Sequence, residues 1–276
     1  MSVGQDLDTS KIKKGETVIS VKNIFKSFQS KKVLTGLSVD VRKGEIFVII
    51  GPSGCGKSVL LKHIMGLLTP DSGGIYFNGL DLTKFSENEL NEMRKKFGML
   101  FQGAALFDSL TVGENISFGL REHTDKSKRE IEKIVNEKLE LVGMPGIADL
   151  KPSQLSGGMK KRVGLARAIA MDPEVLLYDE PTTGLDPVMV TIIDKLTKDM
   201  NRKLGCTTIV VTHDMKSAFR IADRIGMHFQ GQIIETGTCE EIEKTNNPIV
   251  RQFIEGAEEG PITLSHTRIE SNGNHI

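Results

Sequence analysis

The run Gly51-Pro52-Ser53-Gly54-Cys55-Gly56-Lys57-Ser58 has the residue types that hold phosphate. Its glycines let the backbone bend around an anion without Cβ clashes. A compact β-branched run, Glu45–Ile50, leads into it, and a helix from Lys57 to Leu67 is expected to lead out. That strand–loop–helix setting is what the motif requires. The N–H groups at the helix start point at the anion and add the helix dipole. The nucleotide-binding stretch is read as Gly51 through Val59. Lys57 supplies a positive charge to the β- and γ-phosphates of ATP, and the Ser58 hydroxyl should ligate Mg²⁺. Cys55 reads as a neutral filler, because a thiolate beside phosphates is disfavoured. The alternative is a redox-sensitive thiol whose modification blocks ATP.

A second apolar run, Val175-Leu176-Leu177-Tyr178, delivers two carboxylates at its end, Asp179 and Glu180. Asp179 is placed to hold Mg²⁺, directly or through water. Glu180 is placed to polarise the attacking water, a general-base role typically worth about 10²–10⁴-fold. A third run, Thr207–Val211, leads to Thr212-His213-Asp214. A lone histidine after a strand is usually structural. At the end of a neighbouring parallel strand, where such folds place ligands, His213 reads instead as a γ-phosphate sensor. Gln102 closes the run Phe97–Gln102 and could ligate Mg²⁺ or position water. On the sequence alone a lone Gln is more often an ordinary surface residue.

The elements around these residues alternate. Val18–Val21, Leu37–Val41 and Gly74–Asn78 read as short strands, with a turn cluster over Thr69–Gly74. Glu45–Ile50, Glu174–Tyr178 and Thr207–Val211 read as buried parallel strands, each followed by a motif and a helix. Strand and helix in alternation imply an α/β fold with a parallel sheet covered on both faces. Lys126–Val142 carries Ile131, Ile134, Val135 and Leu139 at helical spacing amid charges, an amphipathic helix within a helical insertion over about 103–164. Arg224–Glu235 reads as a terminal hairpin turning at Gln230-Gly231. Residues 1–15 read as a flexible lead-in and 255–276 as a polar tail.

Composition sets the remaining bounds. The chain has 276 residues, 38% hydrophobic and 26% charged, enough for one large domain or two small ones. Lys+Arg and Asp+Glu both number 36, which gives no support to a nucleic-acid partner. Cys55, Cys206 and Cys239 are widely spaced and unpaired, as in a reducing compartment, with neither a disulfide framework nor a zinc site. The polar start, Met1 to Lys14, has no signal-peptide core. No run approaches the roughly 20 apolar residues that cross a bilayer, so the chain is expected to be soluble, with any spans supplied by another chain.

One further string completes a set. Leu155-Ser156-Gly157-Gly158-Met159 lies between the phosphate loop and the acidic pair, and Gly184-Leu185-Asp186 follows that pair. Gly51–Ser58, Gln102, Leu155–Gly158, Val175–Glu180, Gly184–Asp186 and His213 stand in the order and spacing of ABC-transporter ATPase subunits. The resemblance covers about residues 17–245. It implies a RecA-like parallel-sheet core, an antiparallel β-subdomain and a helical subdomain joined through Gln102, within an ABC ATPase domain spanning 16–254. It implies a head-to-tail homodimer in which Ser156, Gly157 and Gly158 contact the γ-phosphate held by the partner, and Asp186 signals across the interface. Phe28 sits where the family stacks an aromatic on adenine. Met159 replaces the usual Gln of the signature.

A narrower resemblance rests on Leu100–Phe107, Leu120–Thr124, Val250–Gly256 and Gly260-Pro261. These strings look like the Mla-type ATPases paired with MCE-domain lipid transporters. That resemblance implies ATP hydrolysis coupled to phospholipid movement between the inner and outer membranes of a Gram-negative bacterium. It implies a permease dimer above the ATPase, an MCE-domain lipid-binding protein, a small STAS-domain protein on the helical subdomain, and residence on the cytoplasmic face of the inner membrane. The polar tail is expected to dock on neighbouring subunits. An ATPase for a small-solute importer would carry identical catalytic residues. Soluble DNA-repair or ribosome-associated relatives usually carry two cassettes or a long coiled coil, and neither is visible. Intact Lys57, Asp179, Glu180 and His213 speak against a catalytically dead regulator.

Overall fold

A computed structural model describes residues 12–263, so most of the expected lead-in and the last part of the tail lie outside the described residues. In chain order the elements are β1 (Thr17–Phe28), β2 (Lys31–Arg42), β3 (Ile46–Ile50), α1 (Lys57–Ile64), β4 (Ser72–Phe77), β5 (Leu80–Asp81), α2 (Glu87–Arg94), β6 (Phe97–Leu100), α3 (Val112–His123) and α4 (Lys128–Leu141). There follow α5 (Gly157–Ala168), β7 (Val175–Asp179), α6 (Pro187–Leu204), β8 (Thr207–Thr212), α7 (Met215–Ile221), β9 (Arg224–Phe229), β10 (Gln232–Thr238), α8 (Cys239–Glu243) and α9 (Pro248–Glu255).

The strands form two sheets. β2-β1-β4-β5 is antiparallel throughout, and the larger sheet has the order β10-β9-β3-β8-β7-β6. In the larger sheet β9, β3, β8, β7 and β6 run parallel, and β10 closes one edge as the antiparallel arm of a hairpin with β9. This is an α/β fold with a parallel core and a separate antiparallel sheet, the architecture that the resemblance implies.

The parallel strands are buried on both faces, and their side chains divide by period two. Ile46, Val48 and Ile50 of β3 pack with Val210, Leu176, Tyr178 and Leu100 into a core shared with α3, α4 and α5. Phe47 and Ile49 point the other way, joining Ile209, Val211, Val175, Leu177 and Met99. That second core takes in Leu60, Leu61 and Ile64 of α1 and the inner face of the antiparallel sheet.

Register brings the motif-bearing loops to one edge. Ile50 pairs with Thr212, Asp179 with Val211, and Leu100 with Tyr178. The residues that follow each strand end therefore emerge side by side, where open α/β sheets bind ligands.

Several elements differ from expectation. β1 and β2 are far longer than the short strands read from their apolar cores, because antiparallel pairing carries the ladder past the apolar residues. α1 ends at Ile64 rather than Leu67, since Gly66 turns left-handed at φ +65. β4 begins at Ser72, inside the expected turn cluster. α2 was not expected, although Ser86 and Glu89 form a reciprocal capping box at its start. The same device opens α3 with Thr111 and Glu114, and α4 with Ser127 and Glu130. After α9 the chain folds back. The Gln252 side chain donates to the Ala257 carbonyl at 3.3 Å and the Ile262 carbonyl at 3.1 Å, and accepts from the Ile262 N–H at 2.6 Å. No helix among the described residues is long and apolar enough to cross a membrane.

Candidate active site

The loop after β3 returns on itself through left-handed glycines, Gly54 at φ +76 and Gly56 at φ +110. Gly51 is required for a different reason. A Cβ there would stand 2.2 Å from the carbonyl oxygen of His228 on β9, so no side chain fits. Lys57 opens α1 and is 5% exposed. Its Nζ donates to the Gly51 carbonyl at 2.8 Å and the Pro52 carbonyl at 3.0 Å, stitching the loop to the helix it precedes. The same Nζ stands 3.7 Å from Glu180 Oε1.

Ser58 Oγ donates to Asp179 Oδ1 at 2.7 Å, joining the first turn of α1 to the end of β7. Burial pushes the Asp179 carboxyl above its ordinary pKa, while the Ser58 hydrogen bond pulls it back. A hydroxyl, a carboxylate and the nearby Gln102 amide make a hard-oxygen donor set, which fits Mg²⁺. Among the described residues no group of three or more His, Cys, Asp or Glu could hold a metal by itself.

Glu180 is held from several sides. His213 Nδ1 lies 2.8 Å from its Oε2, and the Thr183 hydroxyl donates to the same oxygen at 3.2 Å. Its backbone is left-handed at φ +49, and its N–H donates to the Val211 carbonyl at 3.0 Å. One edge of the carboxylate thus faces Lys57 and the other faces His213.

Lys57, Ser58, Gln102, Glu180 and His213 line a cavity of about 330 Å³ with Ser53, Gly54, Gly56, Val59 and, from β2, Val33, while Asp179 lies behind Ser58 and is not part of its wall. A larger cavity, about 590 Å³, lies between α3 and α4 and contains none of the phosphate-loop residues.

Ser156, Gly157, Gly158 and Asp186 do not line the 330 Å³ cavity. Ser156 caps α5, accepting from the Met159 N–H at 3.3 Å. Asp186 caps α6, accepting from Val188 and Met189 N–H, each at 3.0 Å. The two caps are neighbours, because a Cβ on Gly157 would approach Leu185 and one on Gly158 would meet Met189. Phe28 is also outside the cavity. It is 43% exposed, with Lys26 Nζ 5.6 Å from its ring centroid.

Cys55 is not an isolated filler. Its Sγ lies 2.9 Å from Nδ1 of His228. Burial pushes the thiol pKa up, which keeps it protonated, and burial followed by the Lys57 charge pushes His228 down to about 4. Sequence reading missed His228, whose signal was a lone histidine in the apolar run Ile225–Phe229. It also missed Lys161, whose 5% exposure no periodicity in α5 announces.

The ABC transporter family model matches residues 34–183. The chain is 42% identical to the intermembrane phospholipid transport system ATP-binding protein MlaF of Haemophilus influenzae, over 91% of this chain and 95% of that one. It is 44% identical to the "Probable ribonucleotide transport ATP-binding protein mkl" of Mycobacterium leprae, over 92% of this chain and 73% of that one. Among solved structures it resembles a dimer of the ATP-binding cassette MJ0796 in a post-hydrolysis state bound to ADP and Pi. The TM-score is 0.75, with 32% identity over 80% of this chain and 98% of that one.

Proposed function

The chain belongs to the ABC transporter family and is an ATPase, and from that premise we propose that it powers phospholipid movement between the inner and outer membranes of a Gram-negative bacterium. The observation that carries this reading is the likeness to MlaF, which extends over nearly the whole of both chains. On this reading the chain sits at the cytoplasmic face of the inner membrane, beneath a permease dimer. An MCE-domain lipid-binding protein and a small STAS-domain protein complete the assembly.

Lys57 and the N–H groups from Gly51 to Val59 hold the phosphates of ATP. Ser58, Asp179 and Gln102 would hold Mg²⁺, which neutralises charge on the transferring phosphoryl group. Glu180 takes a proton from the attacking water, and His213 keeps its carboxylate aimed while sensing the γ-phosphate. Phe28 supplies an aromatic face for adenine. Because Ser156, Gly157 and Gly158 stand outside the chain's own cavity, they are free to cover the nucleotide of a second copy, with Asp186 beside them at the seam. Head-to-tail closure on two ATP molecules, and release after hydrolysis, is the stroke delivered to the permease.

The name of the mycobacterial relative favours a second reading, transport of ribonucleotides, with the same catalytic residues. Tagging the chain and purifying it from native membranes in mild detergent separates the two. A co-purifying permease with MCE-domain and STAS-domain proteins supports phospholipid transport. A permease with a nucleotide-binding partner, or a solute-binding protein of a small-solute importer, overturns it.

A further inference from the structure

Lys161 lies on α5, within a turn of Gly158, and its ammonium group is buried. A buried cation is costly unless hydrogen-bonded. Its Nζ donates to two main-chain carbonyls, that of Gln102 through a short contact and that of Glu180 at 3.3 Å. Both belong to segments under backbone strain. Glu180 is left-handed, and just beyond Gln102 so are Ala104 and Ala105, at φ +61 and +46. Such conformations are costly and persist where surrounding groups enforce them. The same helix enforces the second segment, because Arg167 donates to the Ala104 carbonyl at 2.8 Å and the Ala105 carbonyl at 2.6 Å. Gly164 between them lets α5 approach closely, since a Cβ there would stand 3.2 Å from that of Ala104.

We propose that Lys161 is a positioning residue that pins the Glu180 main chain in its strained conformation and ties it to Gln102, so that α5, the helix of the Ser156-Gly157-Gly158 turn, sets the aim of the base. Lys161 does not line the phosphate cavity. Its loss leaves Lys57, Ser58 and the phosphate loop intact. It frees Glu180 to relax toward an ordinary φ, which swings the carboxylate away from the water. The inference rests on Glu180 as the base and is independent of what is transported.

The test is ATP turnover by the full-length chain purified with its membrane subunits, comparing Lys161→Met, Lys161→Gln and Glu180→Gln with the unaltered protein. Misplacing a catalytic group by about 1 Å can cost of order 10²-fold. Lys161→Met is therefore expected to lower kcat at least about tenfold, with KM for ATP within about threefold and an unchanged melting temperature. Lys161→Gln, which keeps a donor, should fall between, and if the Met variant does not fold, a lowered kcat at unchanged KM in the Gln variant decides. Unaltered kcat overturns the proposal, as does a parallel fall in kcat, ATP affinity and melting temperature. Full turnover in Glu180→Gln would instead overturn the base assignment.

Discussion

His213 Nδ1 stands 2.8 Å from Glu180 Oε2, linking the residue after β8 to the residue after β7. The contact follows from register, since Asp179 pairs with Val211 and the two strands end together. On the proposal that Glu180 is the base, removing this partner should lower the rate. His213→Ala is expected to reduce ATP turnover about 10- to 100-fold while nucleotide binding stays within about threefold. Steady-state turnover beside a fluorescent-nucleotide titration checks both halves.

Glu180→Gln should retain the Lys57, Ser58 and Asp179 geometry and lose the proton acceptor. It is expected to bind ATP, form a stable dimer by size-exclusion chromatography, and hydrolyse at least about 100-fold more slowly. Normal hydrolysis in that variant would sink the assignment.

Ser156 and Asp186 form a surface patch apart from the chain's own cavity. Ser156→Arg should leave ATP binding by the isolated chain within about threefold, because nothing in the cavity changes, and should abolish ATP-driven dimerisation and turnover. Light scattering with and without ATP reads the first effect. Weakened binding by the monomer would place Ser156 in the wrong site.

His228 gives a pH prediction. Burial, then the Lys57 charge, lowers its pKa to about 4, against about 6.5 in an unfolded chain. The unfolded chain therefore takes up the proton first as pH falls. The stability owed to the neutral ring is complete above about pH 6.5 and is lost progressively toward pH 4, to a ceiling of about 3 kcal/mol. Melting temperature between pH 7 and 4.5 should fall more steeply for the unaltered chain than for His228→Gln. Parallel curves would contradict it.

Much of this site is legible in the sequence because its parts are local. The phosphate loop, the acidic pair and His213 each follow an apolar run, and parallel pairing alone brings such strand ends together. What is not legible depends on contacts across long separations. His228 reaches Cys55 and Gly51 only because β9 pairs with β3, and no local pattern in β9 reveals that neighbour. Lys161 reads as one more charge in a basic helix until packing turns it inward onto Gln102 and Glu180. The capping box of α2 was readable at Ser86 and Glu89, yet that helix is short and weakly apolar, so no periodicity drew attention to it.

The proposed function requires coupling between ATP hydrolysis and lipid movement. The most direct measurement reconstitutes the co-purified complex in vesicles carrying a fluorescent phospholipid and follows transfer to or from a lipid-binding acceptor as ATP is added. Transfer that requires ATP, and that stops in Glu180→Gln, is the predicted result. ATP turnover without any lipid transfer, accompanied by uptake of labelled ribonucleotide, would contradict the lipid assignment and leave the catalytic residues standing.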